Sequence, residues 1–191
     1  MQILTAATGE RHLGMARAMA ESMAEHGWPP LRIIAGRAGE CGQRLKTRFG
    51  EFAEDIPGPV MFLDCDCLAT GPFVPPPALE PGQIAARITG FFPPPFDAMV
   101  FMASTVVVAG DLATARQLCE AWSTRYTLQR DKADDEAALF KAAIHLQKID
   151  LGGTYAEPLP NLRHLGATSA AWNAVHRPPP MARVRVMPRD K

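Results

Sequence analysis

The chain has 191 residues, 47% of them hydrophobic, with 20 basic residues (Lys and Arg) against 20 acidic ones. That is enough apolar side chain for one sizeable core, while the zero balance excludes both an overall basic field for nucleic acid and the acidic excess of disordered chains. No apolar run approaches the roughly 20 residues of a membrane-spanning helix, and the opening MQILTAATGER has no basic flank or long apolar segment of a secretory signal. The expectation is one cytoplasmic domain over 1–191, without a membrane span or a nucleic-acid partner.

QILTAAT (2–8) is a short apolar run before a Gly-Glu turn and predicts a buried strand. HLGMARAMAESMAEHG (12–27) follows, with Leu13, Ala16, Met19, Ala20 and Met23 spaced three and four apart, which predicts an amphipathic helix ended by Gly27, Pro29 and Pro30. LRIIAG (31–36) predicts a second strand, Gln43 to Asp55 a second helix, and Val60 to Leu63 a third strand. Strands separated by helical segments argue for right-handed crossovers in a parallel sheet covered on both faces, the α/β class.

Beyond residue 70 the proline-rich GPFVPPPALEPGQ predicts irregular connection. IAARIT (84–89) then predicts a short strand, and GFFPPPF a stiff loop or a flap. MASTVVVAG (102–110) is β-branched and apolar and predicts another buried strand, after which Asp111 caps a helix towards Tyr126. A last helix is predicted over Asp134 to Gln147, with Asp134, Asp135 and Glu136 in its first turn. The tail from Gly152 carries Trp172, Asn173 and His176 as its distinctive side chains.

The most informative stretch is VMFLDCDCLAT (60–70), in which a four-residue apolar run meets two aspartates. Strand alternation puts Asp64 and Asp66 on one side and Cys65 and Cys67 on the other, and the C-terminal ends of α/β strands open into ligand-binding crevices. Two adjacent carboxylates repel, which Mg²⁺ or Mn²⁺ shared with a diphosphate would relieve. The plainer account is a strand terminated by one capping aspartate and one paired with an arginine. Zinc held by Cys65 and Cys67 lacks a second cysteine pair, and the cysteines, with Cys41 and Cys119, are expected to be reduced thiols.

Read together, ILTAAT, the helix after it and FLDCDC resemble the GT-A fold of nucleotide-sugar glycosyltransferases, closest to the retaining glycogenin-like family with its D-x-D motif. The resemblance implies a three-layer sandwich around a mainly parallel sheet, with a nucleotide-binding half (1–70) and a sugar and acceptor half with the tail (71–191). It implies transfer of a sugar from a nucleoside-diphosphate sugar, a UDP-sugar by expectation, to an acceptor, with Mn²⁺ or Mg²⁺ as cofactor. Thr5, Ala6 and Ala7 would line the base pocket, Lys46 would approach the phosphates, and Asp64 would meet both ribose and metal.

Asp66 would be a metal ligand, and His176 in AWNAVHRPPP a further one, with His164 as its substitute. DEAALF (135–140) is similar to the family's D-Q-x-x-L-N stretch, which implies that Asp135 and Glu136 approach the transferred sugar. Glu136 and Phe140 replace that stretch's Gln and Asn, and Ser104 and Val106 stand where the family has Asn-x-Gly.

Two other readings stay open on the residues alone. One is a non-catalytic GT-A core that only binds a nucleotide sugar. The other is a phosphohydrolase of the haloacid dehalogenase type, in which Asp64 would be the nucleophile and Ser104, Lys132 or Lys141, Asp134 and Asp135 the remaining parts. On a helix, Lys46 between Arg44 and Arg48 also fits a solvated basic face.

Overall fold

The computed structural model describes residues 1–37, 40–90, 100–128, 135–153 and 157–166. Strand β1 (Gln2–Ala7) lies between β2 (Leu31–Ala35) and β3 (Val60–Leu63) and runs parallel to both. Helix α1 (Gly9–Glu25) crosses from β1 to β2 and contains no β-branched residue. Its Met15, Ala16, Met19 and Met23 are buried. The helix stops in a Schellman motif: Gly27 takes φ +69, its N–H bonds to Ala24 O, and the Trp28 N–H reaches Met23 O at 2.9 Å.

After β3 come β4 (Cys67–Ala69), β5 (Gln83–Gly90), β6 (Val100–Ala109), helix α3 (Leu112–Leu128), helix α4 (Asp135–Ala142), β7 (Gln147–Asp150) and β8 (Leu162–His164); the short helix α2 (Gly42–Lys46) precedes β3. The main sheet has the order β2-β1-β3-β6-β5-β7, and only β6 runs against the other five. β4 and β8 form a separate antiparallel ribbon. As anticipated, Asp111 caps α3, accepting the Thr114 N–H at 2.7 Å.

Side-chain alternation along β3 splits the core. Val60 and Phe62 pack with Leu4, Phe49, Leu118, Trp122 and Leu139 on the face covered by α3 and α4. Met61 and Leu63 pack with Ile3, Met19, Met23 and Trp28 on the face covered by α1. Helices thus cover both faces of a mainly parallel sheet, as the sequence pattern predicts. No helix among the described residues is long and apolar enough to cross a membrane.

The predicted helix over Gln43–Asp55 is cut short. It ends at Lys46, Thr47 Oγ1 donates back to Arg44 O at 2.9 Å, and a 3-10 turn occupies Phe49–Glu51. Gly50 explains the break: a Cβ there would sit 2.8 Å from Ala115 O on α3, so this backbone packs directly on another. The predicted helix towards Gln147 likewise ends at Ala142. After a 3-10 turn the chain pairs as the edge strand β7 with β5, because Gln83 to Ala86 offer an open ladder.

One irregularity bears on the site. The β5–β6 register jumps from Ala86↔Val107 to Arg87↔Ala103, so three residues of β6, Ser104, Thr105 and Val106, have no partner on β5 and form a bulge. Met102 and Val107 therefore share one core while Val106 lies in the other.

Candidate metal and nucleotide site

The β3 ladder ends at Leu63, and Asp64-Cys65-Asp66 forms the turn into β4. The Asp64 N–H donates to Thr105 O on the bulge (2.9 Å), the Cys67 N–H to Asp64 O (3.3 Å), and the Leu165 N–H to Asp66 O (3.0 Å). β6 therefore fixes one end of the turn and the β4–β8 ribbon the other. Strand alternation does not extend into this turn, and this corrects the expected division of faces. Cys65 lines the same cavity as the two aspartates, and only Cys67 is wholly in the core. Burial, with the aspartates adding to it, pushes the Cys65 thiol up to about 12 and Cys67 well above its ordinary value, so neither is a thiolate.

Asp66 and His164 are both buried, and His164 Nε2 lies 3.2 Å from Asp66 Oδ1. Burial raises the Asp66 pKa, but the His164 hydrogen bond and charge outweigh it, holding the carboxyl below its usual range. For His164 burial disfavours the cation, yet the bond to Asp66 and the charges of both aspartates raise the imidazole above its ordinary value. Asp64, Asp66 and His164 each present a ligand atom within 4.8 Å of the other two.

Beside them lies Lys46, buried to 8% exposure despite its charge. Its Nζ is 2.7 Å from Asp64 Oδ1 and donates to Ser104 Oγ at 2.9 Å, with the Phe62 ring 5.9 Å away. The solvated basic face considered for this helix holds for Arg44 but not for Lys46.

A cavity of about 350 Å³ opens against this cluster. Lys46, Phe62, Asp64 and Asp66 line its β3 side, and Ala6, Ala7, Thr8, His12, Cys41 and Gln43 its β1 side. There the Tyr126 hydroxyl of α3 donates to Gln43 Oε1 at 3.0 Å. The lining combines apolar surface with a few convergent polar groups, the usual make-up of a small-molecule site.

Of the residues singled out in the sequence, the fold brings together Ala6, Ala7, Lys46, Asp64 and Asp66 at this cavity. Thr5 lies beneath it, fully buried and not in the lining, and its hydroxyl has no hydrogen-bond partner among the described residues. Asp135 and Glu136 open α4, which packs on β6; Glu136 is half-buried and does not line the cavity. His176, Trp172, Asp134, Lys132, the GFFPPPF loop from Phe91 on and the Asp135 side chain lie outside the described residues. His12, Gln43 and Phe62 were not anticipated, and Ser104 had been weighed as part of a phosphohydrolase and noted as a departure from the family's Asn-x-Gly.

No family model and no curated protein sequence matches the chain. Solved structures do. A glycosyltransferase involved in glycosylation of the major capsid of PBCV-1 superposes with a TM-score of 0.58 at 14% identity, over 92% of this chain and 98% of that one. The galactosyltransferase LgtC, in complex with donor and acceptor sugar analogues, gives 0.52 at 12% identity over 78% and 73%. An active-site mutant of LgtC gives 0.51 at 15% over 78% and 72%. The fold is the GT-A fold. The turn after β3 carries Asp64-Cys65-Asp66, and the cavity beside it lies at the ends of β1 and β3. The haloacid dehalogenase alternative loses its structural basis with this fold.

Proposed function

We propose that the protein is a metal-dependent glycosyltransferase that moves a sugar from a nucleoside-diphosphate sugar to an acceptor. The observation that carries this reading is the convergence of Asp64, Asp66 and His164, ligand atoms within 4.8 Å, with both aspartates in the wall of a cavity in a GT-A fold. Two carboxylate oxygens and one imidazole nitrogen suit Mn²⁺, and with fewer nitrogen contacts Mg²⁺. Asp64 and Asp66 would hold the ion with His164; His176 is a further ligand on the resemblance. When bound, such an ion neutralises charge growing on the departing diphosphate.

The chain's own residues do the rest. Asp64 and Asp66 are held by three backbone hydrogen bonds to the turn, so they meet a cation with little reorganisation. Ala6, Ala7 and Thr8 offer the base a flat wall, with His12 and Gln43 as polar neighbours; a uridine base is the expectation. Asp135 and Glu136 are proposed to approach the transferred sugar from α4, whose packing on β6 puts it against the strand that carries Ser104.

The test is a thermal-shift and donor-hydrolysis screen of nucleoside diphosphates and nucleotide sugars, with and without Mn²⁺. A shift that needs both nucleotide and metal, with metal-dependent release of sugar or its transfer, is expected. Full turnover by Asp66→Ala would overturn the reading. Binding without turnover over a broad acceptor panel would identify a non-catalytic donor-binding core.

A further inference from the structure

A second cavity, of about 530 Å³, lies between the loop after β7 and the β4–β8 ribbon, and it shares no described lining residue with the first. Its size is that of a small-molecule site. Burial alternates along β8, where Leu162 and His164 are buried and Arg163 between them is exposed. His164 thus meets Asp66 on one side of the strand, while Arg163 lines the second cavity on the other. Arg163 has no ion-pair partner among the described residues.

Asn161 belongs to the same wall and is held in a conformation that side chains seldom adopt. It is the one non-glycine among the described residues with a positive φ, +61. Its carbonyl accepts the Thr70 N–H at 2.8 Å, and its Nδ2 donates to Pro72 O at 2.8 Å. The amide also packs on Gly71, where a Cβ would sit 3.0 Å from Asn161 Cγ. The Asn161 amide is therefore fixed in orientation before any ligand arrives, and backbone strain of this kind collects at ligand sites.

The lining indicates what such a ligand is made of. Arg163 supplies N–H donors, Glu157 carboxylate acceptors, and Thr70 and Asn161 groups of both kinds, beside the apolar surfaces of Pro158 and Leu159. A sugar hydroxyl donates and accepts at once, and a sugar ring carries apolar C–H faces between its hydroxyls. We propose that the second cavity binds saccharide and serves as a subsite for a sugar unit of the acceptor. That the saccharide is the acceptor's rests on the transfer reading above; that one binds here does not.

The experiment uses the full chain without nucleotide or metal. Saturation-transfer NMR titrations with lactose, maltose and methyl mannoside are run on the wild type, Arg163→Ala, Asn161→Gly and Asp66→Ala, with inorganic phosphate as a competitor. Glycine takes a positive φ readily, so Asn161→Gly removes the amide and keeps the backbone. Expected is binding of at least one of these sugars, weakened about tenfold by Arg163→Ala or Asn161→Gly, unchanged by Asp66→Ala and unaffected by phosphate.

The proposal is overturned if none of the three sugars binds, or if binding survives unchanged in both Arg163→Ala and Asn161→Gly. Loss of binding in Asp66→Ala alone would put the sugar in the first cavity, and displacement by phosphate through Arg163 would make the second an anion site; either result overturns it. Sugar binding that depends on Arg163, in a protein that takes up neither UDP nor GDP with Mn²⁺, would refute the donor reading and uphold this site.

Discussion

His164 Nε2 sits 3.2 Å from Asp66 Oδ1, where His164 pairs with Cys67, the residue after Asp66, in the β4–β8 ribbon. The contact joins the D-x-D turn to a strand near the far end of the described chain. In the metal-free protein it is an ion pair whenever His164 is protonated.

That pair gives the apo protein a definite pH signature. His164 has a raised folded pKa, so its contribution is complete below its unfolded value of about 6.5 and is lost as pH climbs through the folded one. Asp66 has a depressed folded pKa, so its contribution is complete above about 3.9 and is lost as pH falls through the folded value. The thermal midpoint of the wild type minus that of His164→Asn should therefore be greatest near about pH 5.5 and shrink towards alkaline pH. A difference that grew up to pH 9 would contradict the assignment.

Removing Asp66 should separate metal binding from folding. Mn²⁺ at 100 times its dissociation constant stabilises a one-site protein by about 2.7 kcal/mol, and Asp66→Ala is expected to lose that gain. His164→Ala and His176→Ala, assayed side by side, show how much each imidazole adds. His164→Ala is expected to reduce the Mn²⁺-induced shift, and an unchanged shift would remove His164 from the ligand set.

The core on the α3 face offers a test independent of ligands. Trp122 is fully buried among Phe49, Phe62 and Leu118 in that cluster, so Trp122→Ala should cost about 3–5 kcal/mol in denaturant unfolding. A loss below about 1 kcal/mol would mean that this cluster is loosely packed.

Gly50 tests the contact that shortens α2. A methyl group there would press on Ala115 O and Arg116 N, both backbone atoms of α3. Gly50→Ala should destabilise by about 1–3 kcal/mol. Because Gly50 lies four residues beyond Lys46, the variant should also weaken nucleotide binding in the presence of Mn²⁺; intact stability and binding would show that α3 yields freely.

The parts legible in the sequence were those with a local cause. β1, β3 and α1 follow from apolar runs and methionine spacing, and Asp64 and Asp66 stood out because two charges end an apolar strand. β7 was not legible, since Gln147–Asp150 has one apolar residue and becomes a strand only because β5 offers an open edge. β4 and β8 are three residues each and exist only as partners of one another. His164 was only a substitute in the sequence reading, because its place beside Asp66 is a product of that ribbon. The Lys46–Ser104 contact depends on a bulge with no signature in STVVVA.

The ribbon also bears on how the chain comes to possess its site. Asp66 and His164 meet only after β5, β6, α3, α4 and β7 have been laid down between them. Contacts so distant in sequence form slowly, because the entropy of closing the loop is lost before the contact repays it. In a refolding experiment, competence to bind Mn²⁺ should therefore lag behind burial of Trp28 and Trp122, and the cation would act as a late clasp on a sheet already formed by the parallel strands and α1.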